Sequence, residues 1–425
     1  MARARPEIRR ALLVLVGGAA LAGCGGAGAG SAARPAETCG AGTWVAAWTA
    51  DPSDAVNHGV VTQTQRTILT PELGGDALRV HLSNRLGLAP VTFQAASVGL
   101  RQGGAGAGLV PGSRRPVTFS GAASVTIPTG AEVTSDPVAL GVKAGDDVAV
   151  SLYDAGASGP ATEHLVGQQT SYFTPPGSGD HTGEDTGAAF TLPSTARYFV
   201  TSVEVRSPAP VGTVVAFGDS ITDGFGGPPD QNDRYPDVLA RRLAAEAPGR
   251  HLGVVDAGIG GNRVLSDARP QMGGASGLDR LDTDVIGQPG ATDVIVLEGV
   301  NDLGARASAD QVTGGLEQLV TRLHAAGLRV QLGTLTPFGR PGPPSPTVAA
   351  AEASRTAVNR WIRGGGARAD ATIDFDAAVR DPADRTRLDP RYDSGDHLHP
   401  NGAGRQAMAR AVDLAGLAPA TCHPA

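Results

Sequence analysis

The residues Val214-Val215-Ala216-Phe217-Gly218-Asp219-Ser220-Ile221-Thr222 decide how the second half of the chain is interpreted. An apolar run ends at a glycine, and a polar, glycine-rich segment follows. This pattern is typical of a buried parallel strand that ends in a loop or at the start of a helix. Groups at the carboxyl end of such a strand face the usual ligand crevice of an open α/β sheet. We therefore interpret Ser220 as a candidate nucleophile, although a serine here, taken alone, also suits a helix N-cap.

Strands and helices alternate from residue 208 to residue 425. Apolar runs predict five strands, at residues 213–217, 252–255, 294–297, 330–335 and 372–375. Between and after them, the sequence predicts helices at residues 235–246, 310–326, 349–363 and 401–414. This alternation predicts a three-layer α/β domain built on a parallel sheet.

The preceding region, residues 43–207, has the pattern of an all-β domain. Short runs rich in valine and threonine are separated by clusters of Gly, Pro, Asn and Asp, which predicts a β-sandwich or jelly roll. Four aromatic residues suit core packing better than stacking on sugar rings, because a small sandwich core needs large side chains: Trp44, Trp48, Tyr153 and Tyr172. The histidines of this region show no ligand-like spacing and are interpreted as structural or surface residues: His58, His81, His164 and His181.

The first residues resemble an export signal. Residues 1–23 combine a basic start with an apolar run that is too short to span a bilayer. The end of this run, Leu21-Ala22-Gly23-Cys24, resembles the lipobox of bacterial lipoproteins, in which the cysteine becomes the lipidated first residue of the mature protein. An ordinary signal peptide with an incidental Cys24 is the alternative. Residues 24–42 are then a flexible tether. We expect an exported protein, held at the membrane by a lipid on Cys24 or secreted.

Charge and cysteine content narrow the possible partners. The 425 residues have a net charge of −7, which gives no electrostatic basis for binding nucleic acid. Cys39 and Cys422 lie near the two ends of the folded part. Export permits a disulfide between them, since chain ends often lie close together, and two free thiols are the alternative. We expect a monomer.

Four segments of the C-terminal region have the residues that acyl transfer needs. They are Gly218-Asp219-Ser220, the glycine-rich segment 256–263, Gly299-Val300-Asn301-Asp302 and Asp396-His397-Leu398-His399-Pro400. A serine hydroxyl becomes a good nucleophile when an imidazole accepts its proton, and a carboxylate must orient that imidazole. Fixed N–H donors must stabilise the oxyanion that forms. Asp396 and His399 are three residues apart, so one turn can bring them together.

These four segments, in this order, resemble the blocks of the SGNH hydrolases, also called the GDSL esterase/lipase family. The resemblance implies a flavodoxin-like domain with a five-stranded parallel sheet. It also implies Ser220 as nucleophile, with Asp396 and His399 as carboxylate and base. The implied oxyanion donors are the backbone N–H groups of Ser220 and Gly261 and the Asn301 side chain. The N-terminal region is similar to the β-sandwich accessory domain of some secreted bacterial members.

Some features leave alternatives open. Asp256 stands where many members have Asn; it precedes the donor glycine, so we expect no change of role. His397 is an alternative base, and Asn301 with Asp302 also suits a turn and cap. Together, Asp393, Asp396, His397 and His399 also suit a metal cluster. No further Cys/His motif accompanies them, so we expect no metal and no organic cofactor.

The expected activity is hydrolysis of carboxylic esters through an acyl-Ser220 intermediate. Acetyl or other short acyl esters, including those on carbohydrate, are the expected substrates, because the chain has a sandwich domain and no long apolar, lid-like segment. A lipase or an acyltransferase would use the same residues. A catalytically silent carbohydrate-binding protein is the alternative of another class.

Overall fold

The computed structural model describes residues 42–55, 59–104, 106–207, 211–268 and 273–417. These described residues all belong to one compact unit. The predicted signal peptide, the lipidation site at Cys24 and the pair Cys39 and Cys422 lie outside the described residues. Within the described residues, no helix is long and apolar enough to cross a bilayer.

The described part of the N-terminal region contains fifteen strands. They are β1 (Thr43–Thr49), β2 (Asp54–Ala55), β3 (Val61–Leu69), β4 (Ala77–Ser83), β5 (Val91–Phe93), β6 (Ala95–Leu100), β7 (Arg115–Pro116), β8 (Val125–Ile127), β9 (Glu132–Thr134), β10 (Val148–Ala157), β11 (Thr162–His164), β12 (Ser171–Phe173), β13 (Leu192–Ser194), β14 (Arg197–Tyr198) and β15 (Val200–Ser207). A four-stranded sheet has the order β1-β15-β4-β9, and a six-stranded sheet has the order β13-β12-β3-β10-β6-β7. Neighbouring strands pair antiparallel, which confirms the all-β prediction.

The two larger sheets share one hydrophobic core. Leu78 and Val203 of the four-stranded sheet pack in the same cluster as Leu69 and Val150 of the six-stranded sheet. Trp48 belongs to this core, which agrees with its interpretation as a packing group. Burial of apolar side chains from two facing sheets is the arrangement expected of a β-sandwich.

The C-terminal region, in the residues that the structure describes, has five strands and seven α-helices. They are β16 (Gly212–Gly218), α1 (Tyr235–Glu246), β17 (Leu252–Gly258), α2 (Gly277–Leu281), β18 (Ala291–Leu297), α3 (Val300–Gly304), α4 (Ala309–Ala325), β19 (Arg329–Gly333), α5 (Pro346–Arg363), β20 (Ala371–Ile373), α6 (Phe375–Val379) and α7 (Gly402–Ala411). The sheet order is β17-β16-β18-β19-β20, and every pair is parallel. This is the flavodoxin-like order, so the predicted five-stranded parallel sheet is confirmed.

The helices form two groups around this sheet. Contacts join α1 and α6 to α7 in one group; in the other, α2 and α3 contact α4, and α3 and α4 contact α5. The amphipathic pattern predicted for α4 is confirmed, because Val312, Leu316, Leu319 and Leu323 are all buried. Ser308 starts this helix with a capping box, in which its side chain accepts the Gln311 N–H.

Several predicted boundaries are wrong by two or three residues, including the ends of the last strand and the last helix. Phe375 does not end the last strand but begins α6, because the Asp374 side chain accepts the Ala377 N–H and caps that helix. The last helix ends at Ala411 instead of near residue 414.

The N-terminal strands pack directly on the α/β region. The Thr213 hydroxyl at the start of β16 donates to the Ala46 carbonyl in β1 (2.9 Å). The Thr49 hydroxyl donates to the Asp256 carbonyl in β17 (2.6 Å). Contacts between β1 and β17 therefore place the sandwich along one edge of the parallel sheet.

Candidate active site

Ser220 lies in a tight turn, residues 219–223, directly after β16; we call this the nucleophile turn. One Asp219 carboxylate oxygen accepts the Ile221 N–H (2.9 Å), and the Asp219 carbonyl accepts the Asp223 N–H (3.0 Å). Gly218 is needed where the strand ends, since a Cβ there would lie 2.0 Å from the Thr222 hydroxyl oxygen. The next helix begins only at Tyr235, so Ser220 is not a helix N-cap.

The imidazole of His399 joins this turn to the loop before α7. Its Nε2 lies 2.8 Å from the Ser220 Oγ, and its Nδ1 lies 2.5 Å from the Asp396 Oδ2. The Phe225 ring packs against the imidazole with 4.8 Å between ring centroids. The structure therefore brings the three sequence-predicted residues together, although Ser220 and His399 are 179 positions apart.

Backbone groups fix the orientation of the Asp396 carboxylate. Its Oδ1 accepts the N–H groups of Leu398 and His399, both at 2.9 Å. The Ser394 hydroxyl also donates to this oxygen (3.1 Å). Partial burial acts to raise the pKa of Asp396, but the hydrogen bonds from the His399 ring and from these amides hold it well below its usual value. The other oxygen, Oδ2, thus stays ionised and faces the imidazole.

His397, the alternative base, has a carboxylate partner of its own. Its Nδ1 lies 2.5 Å from the Asp393 Oδ2, and its N–H donates to the Asp393 Oδ1 (3.0 Å). The geometry therefore favours His399 as the group that faces Ser220. The candidate metal cluster is divided into two separate His–Asp pairs, and the described residues contain no group of three or more metal-ligating side chains.

The second predicted block forms the loop 259–263 after β17, which we call the glycine-rich loop. Gly261 has φ +79°, a conformation that favours glycine. The Asn262 N–H bonds back to the Ile259 carbonyl (3.0 Å) and closes a turn. Within the described part of the chain, neither the Ser220 N–H nor the Gly261 N–H donates to a protein acceptor. Both backbone donors thus remain available to a ligand.

Asn301 lies between the nucleophile turn and the glycine-rich loop. It follows Gly299, whose φ of +122° turns the chain from β18 into α3. Its Nδ2 donates to the Asn262 carbonyl (2.9 Å) and lies 3.3 Å from the Asp219 carboxylate. The neighbouring Asp302 accepts the Val264 and Leu265 N–H groups and so fixes the end of the glycine-rich loop. Gly299 is the N-cap of α3, which has no side-chain cap bond, so neither Asn301 nor Asp302 caps this helix, and Asn301 faces the site.

Arg280 of α2 bonds to groups at the carboxyl ends of three strands, β16, β17 and β18. Its guanidinium donates to the carbonyls of Gly218 (2.9 Å) and Ala257 (2.8 Å) and to the Asn262 side chain (2.9 Å). It also lies 3.4 Å from the Glu298 carboxylate, directly after β18. From the sequence, Arg280 suits a structural ion pair better than a substrate clamp, and its guanidinium lies 3.5 Å from the Asp284 carboxylate. The bonds to the strand ends have no local sequence signal, because those partners are distant in the chain.

Two buried carboxyl groups lie behind the nucleophile. Burial, with the nearby Asp302 carboxylate, raises the pKa of Asp219 to about 7. Burial and the Asp219 charge raise the pKa of Glu298 well above its usual value. Burial thus disfavours the ionised form of both groups, which limits the negative charge next to the N–H donors. A low local negative charge favours the formation of an oxyanion there.

His164, from β11 of the N-terminal region, also reaches this site. Its Nε2 lies 3.1 Å from the carboxylate of Asp223, the last residue of the nucleophile turn. The prediction of a structural or surface residue was right about its burial but missed this contact. The two residues are 59 positions apart, so spacing gave no signal.

The fold and the site define a hydrolase with a flavodoxin-like α/β domain and a Ser–His–Asp arrangement. Residues 216–407 match the model of the GDSL-like lipase/acylhydrolase family. This region of the chain belongs to that family, and the protein is a carboxylic ester hydrolase. No curated protein matches the chain.

Solved structures similar to this chain include three esterases or hydrolases. A carbohydrate acetylesterase family member from Sinorhizobium meliloti is 19% identical, with a TM-score of 0.38, over 47% of this chain and 94% of that chain. The acetylxylan esterase Axe2 from Geobacillus stearothermophilus is 22% identical, with a TM-score of 0.36, over 47% and 91%. The α/β hydrolase LAE5 from the metagenome of Lake Arreo, Spain, is 23% identical, with a TM-score of 0.36, over 47% and 92%.

Proposed function

We propose that the protein is a serine esterase that forms an acyl-enzyme on Ser220. One observation supports this most strongly: the His399 imidazole lies within hydrogen-bond distance of both the Ser220 hydroxyl (2.8 Å) and the Asp396 carboxylate (2.5 Å). These distances are those expected of an activated serine, its general base and the group that orients the base.

The reaction starts when the Ser220 Oγ attacks the ester carbonyl carbon and its proton passes to the His399 Nε2. The Asp396 carboxylate stabilises the imidazolium that results. When the tetrahedral intermediate collapses, the bond to the alcohol oxygen breaks, and His399 returns the proton to the departing alcohol. Water then attacks the acyl-Ser220 by the same steps, which releases the acid and regenerates the serine.

Three donors would hold the oxyanion of the intermediate: the N–H groups of Ser220 and Gly261 and the Asn301 Nδ2. The available backbone N–H groups support this role. Asn301 has one short contact, to the Asn262 carbonyl, and one long contact of 3.3 Å, to Asp219. The long contact is weak, so a small rotation of the Asn301 amide can direct this N–H to the oxyanion at small cost.

We propose acetyl or other short acyl esters, including those on carbohydrate, as substrates. The loop 224–232 beside the catalytic residues supports short acyl groups, since Phe225 is its only large apolar side chain. The rest of the loop is mainly Gly, Pro and polar residues, and most of it is exposed. A long acyl chain would need a continuous apolar groove, which such a loop does not supply. Esters on carbohydrate are included because a β-sandwich domain adjoins the α/β domain.

Steady-state hydrolysis of p-nitrophenyl acetate, butyrate and octanoate tests both parts of this proposal. We expect kcat/KM to fall from acetate to octanoate. Ser220→Ala should lose at least about 10³-fold in kcat, because the reaction then has no nucleophile. Ser178→Ala, in an exposed loop of the N-terminal region, is the matched control and should keep wild-type activity. Unchanged turnover in Ser220→Ala would refute the nucleophile, and a preference for octanoate would refute the short acyl group.

A further inference from the structure

His164 is a buried residue of the N-terminal region that is surrounded by hydrogen-bond acceptors. Its side chain is 5% exposed. The Nδ1 lies 2.8 Å from the Asp51 carbonyl. The Nε2 lies 3.1 Å from the Asp223 Oδ1 and 3.3 Å from the Val166 carbonyl.

These acceptors define the protonation state of the ring. A neutral imidazole has one N–H and one bare nitrogen, and the bare nitrogen would here face only acceptors. Both nitrogens must therefore carry hydrogen, which makes the ring an imidazolium. Burial acts to lower the pKa of His164, but the charge and hydrogen bond of Asp223 raise it to about 9, and Asp256 adds to this effect. The titratable groups that interact with the ring are Asp51, Asp223 and Asp256.

Asp223 connects this imidazolium to both parts of the catalytic site. It is 1% exposed, and it ends the nucleophile turn, where its N–H bonds to the Asp219 carbonyl. Its second oxygen, Oδ2, accepts the Gly260 N–H (3.1 Å). Gly260 directly precedes Gly261, the proposed backbone donor. One carboxylate therefore holds the two loops whose N–H groups must point at the same oxygen.

We propose that His164 is a positioning residue of the esterase site: through Asp223 it fixes the glycine-rich loop against the nucleophile turn, so that the N-terminal domain completes the oxyanion site. The inference rests on the proposed function. Neighbouring contacts of the same segment agree with it. The Val166 side chain packs over Gly260, and the Gln168 side chain donates to the Gly224 carbonyl (3.1 Å).

Loss of the His164 contact should weaken stabilisation of the transition state and should leave substrate binding nearly unchanged. Without the positive ring, the Asp223 side chain loses the partner that holds it. The Gly261 N–H then loses its alignment with the Ser220 N–H. Oxyanion donors act on the tetrahedral intermediate, so kcat should fall while KM changes little.

The first experiment compares the full-length wild type with His164→Gln, which keeps the bulk but not the charge. With p-nitrophenyl acetate we expect kcat to fall about 10- to 100-fold and KM to stay within about threefold. Phenylboronic acid adds to the serine as a tetrahedral anion, so it reports the oxyanion site directly. Its Ki should rise by the same factor as kcat/KM falls. Wild-type kcat and Ki in a folded His164→Gln protein would refute the inference.

Thr213→Val is the matched control for loss of interdomain stability. It removes the hydrogen bond to Ala46 at the amino end of β16, away from the catalytic loops. We expect a lower Tm and unchanged kinetics per folded molecule. If Thr213→Val loses as much kcat as His164→Gln, the effect of His164 is general destabilisation and the inference is wrong.

Asp223→Asn makes the test independent of how well His164→Gln folds. It should lower kcat and raise the Ki of phenylboronic acid in the same way. The kcat of the double variant should be no lower than that of Asp223→Asn alone. Additive losses would show that His164 does not act through Asp223. The proposed function fails separately: a wild type that hydrolyses no ester refutes the esterase, whereas an active wild type with an unaffected His164→Gln refutes only the positioning role.

Discussion

Replacing Asp396 by Asn should leave the fold intact but reverse the tautomer of His399. In the wild type, Asp396 Oδ2 accepts a hydrogen from the His399 Nδ1, so that the Nε2 is bare and can take the Ser220 proton. In the variant, the amide oxygen must occupy the Oδ1 position, because the Leu398 and His399 N–H groups donate there. The amide NH₂ then faces Nδ1, which must accept, and the ring hydrogen moves to Nε2. A protonated Nε2 cannot act as base.

The size of this effect follows from the loss of the base. The same change of tautomer in a Ser–His–Asp site lowers kcat about 10⁴-fold, which corresponds to roughly 5 kcal/mol of transition-state stabilisation. Hydrolysis of p-nitrophenyl acetate near pH 7.5 measures kcat and KM, and thermal unfolding shows whether the variant is folded. We expect KM to change little, since the substituted group does not touch the substrate.

The neighbouring pair of Asp393 and His397 provides a matched control. Asp393 holds His397 at the same 2.5 Å distance and in the same loop, but His397 does not face Ser220. Asp393→Asn makes the identical chemical change and should keep kcat within about fivefold. If Asp396→Asn retains more than a tenth of the wild-type kcat, or if Asp393→Asn falls as far, the reasoning about the tautomer is refuted.

The remaining predictions concern the oxyanion site, the core, pH and export. Asn301→Ala should lower kcat by about 10²- to 10³-fold at nearly constant KM; more than a third of wild-type turnover would contradict its role. Arg280→Met should lower the free energy of unfolding in urea by about 3–5 kcal/mol, because it leaves buried carboxylates and carbonyls without a partner; a loss below about 1 kcal/mol would contradict this. The pKa of His164 is raised in the folded state, so its contribution is present below pH 6.5 and lost as pH rises through about 9. Urea unfolding at pH 7 and pH 10 should show a wild-type loss on the order of 3 kcal/mol that His164→Gln lacks; equal losses in both would contradict it. Cys24→Ala should abolish palmitate labelling and globomycin-sensitive processing, and persistent labelling would refute a lipid at this residue.

Much of the α/β architecture was predictable because its signals are local. A buried parallel strand is a short apolar run, and the pattern gave all five strands of the sheet in their chain order. The pair of Asp396 and His399 was also predictable, since both lie in one turn. The end of the last strand was not, because Phe375 is equally apolar in a strand and in a helix. The Asp374 cap decides between them.

Residues whose partners are distant in the chain were beyond sequence reasoning. Arg280 lies 62 positions from Gly218, and its bonds to the ends of three strands depend on the order of the strands in the sheet. His164 belongs to a different domain from Asp223, and nothing in its neighbourhood marks it as part of a catalytic site. Such contacts follow from how the sandwich packs on the sheet, and single-residue patterns carry no information about that packing.

Covalent labelling with a fluorophosphonate, followed by peptide mass spectrometry, tests the central claim most directly. The reagent reacts with serines that a neighbouring base activates. We predict a single phosphonylated residue, Ser220, and a loss of esterase activity in proportion to the labelled fraction. Labelling at another residue, or full activity in a protein that is fully labelled at Ser220, would contradict the account.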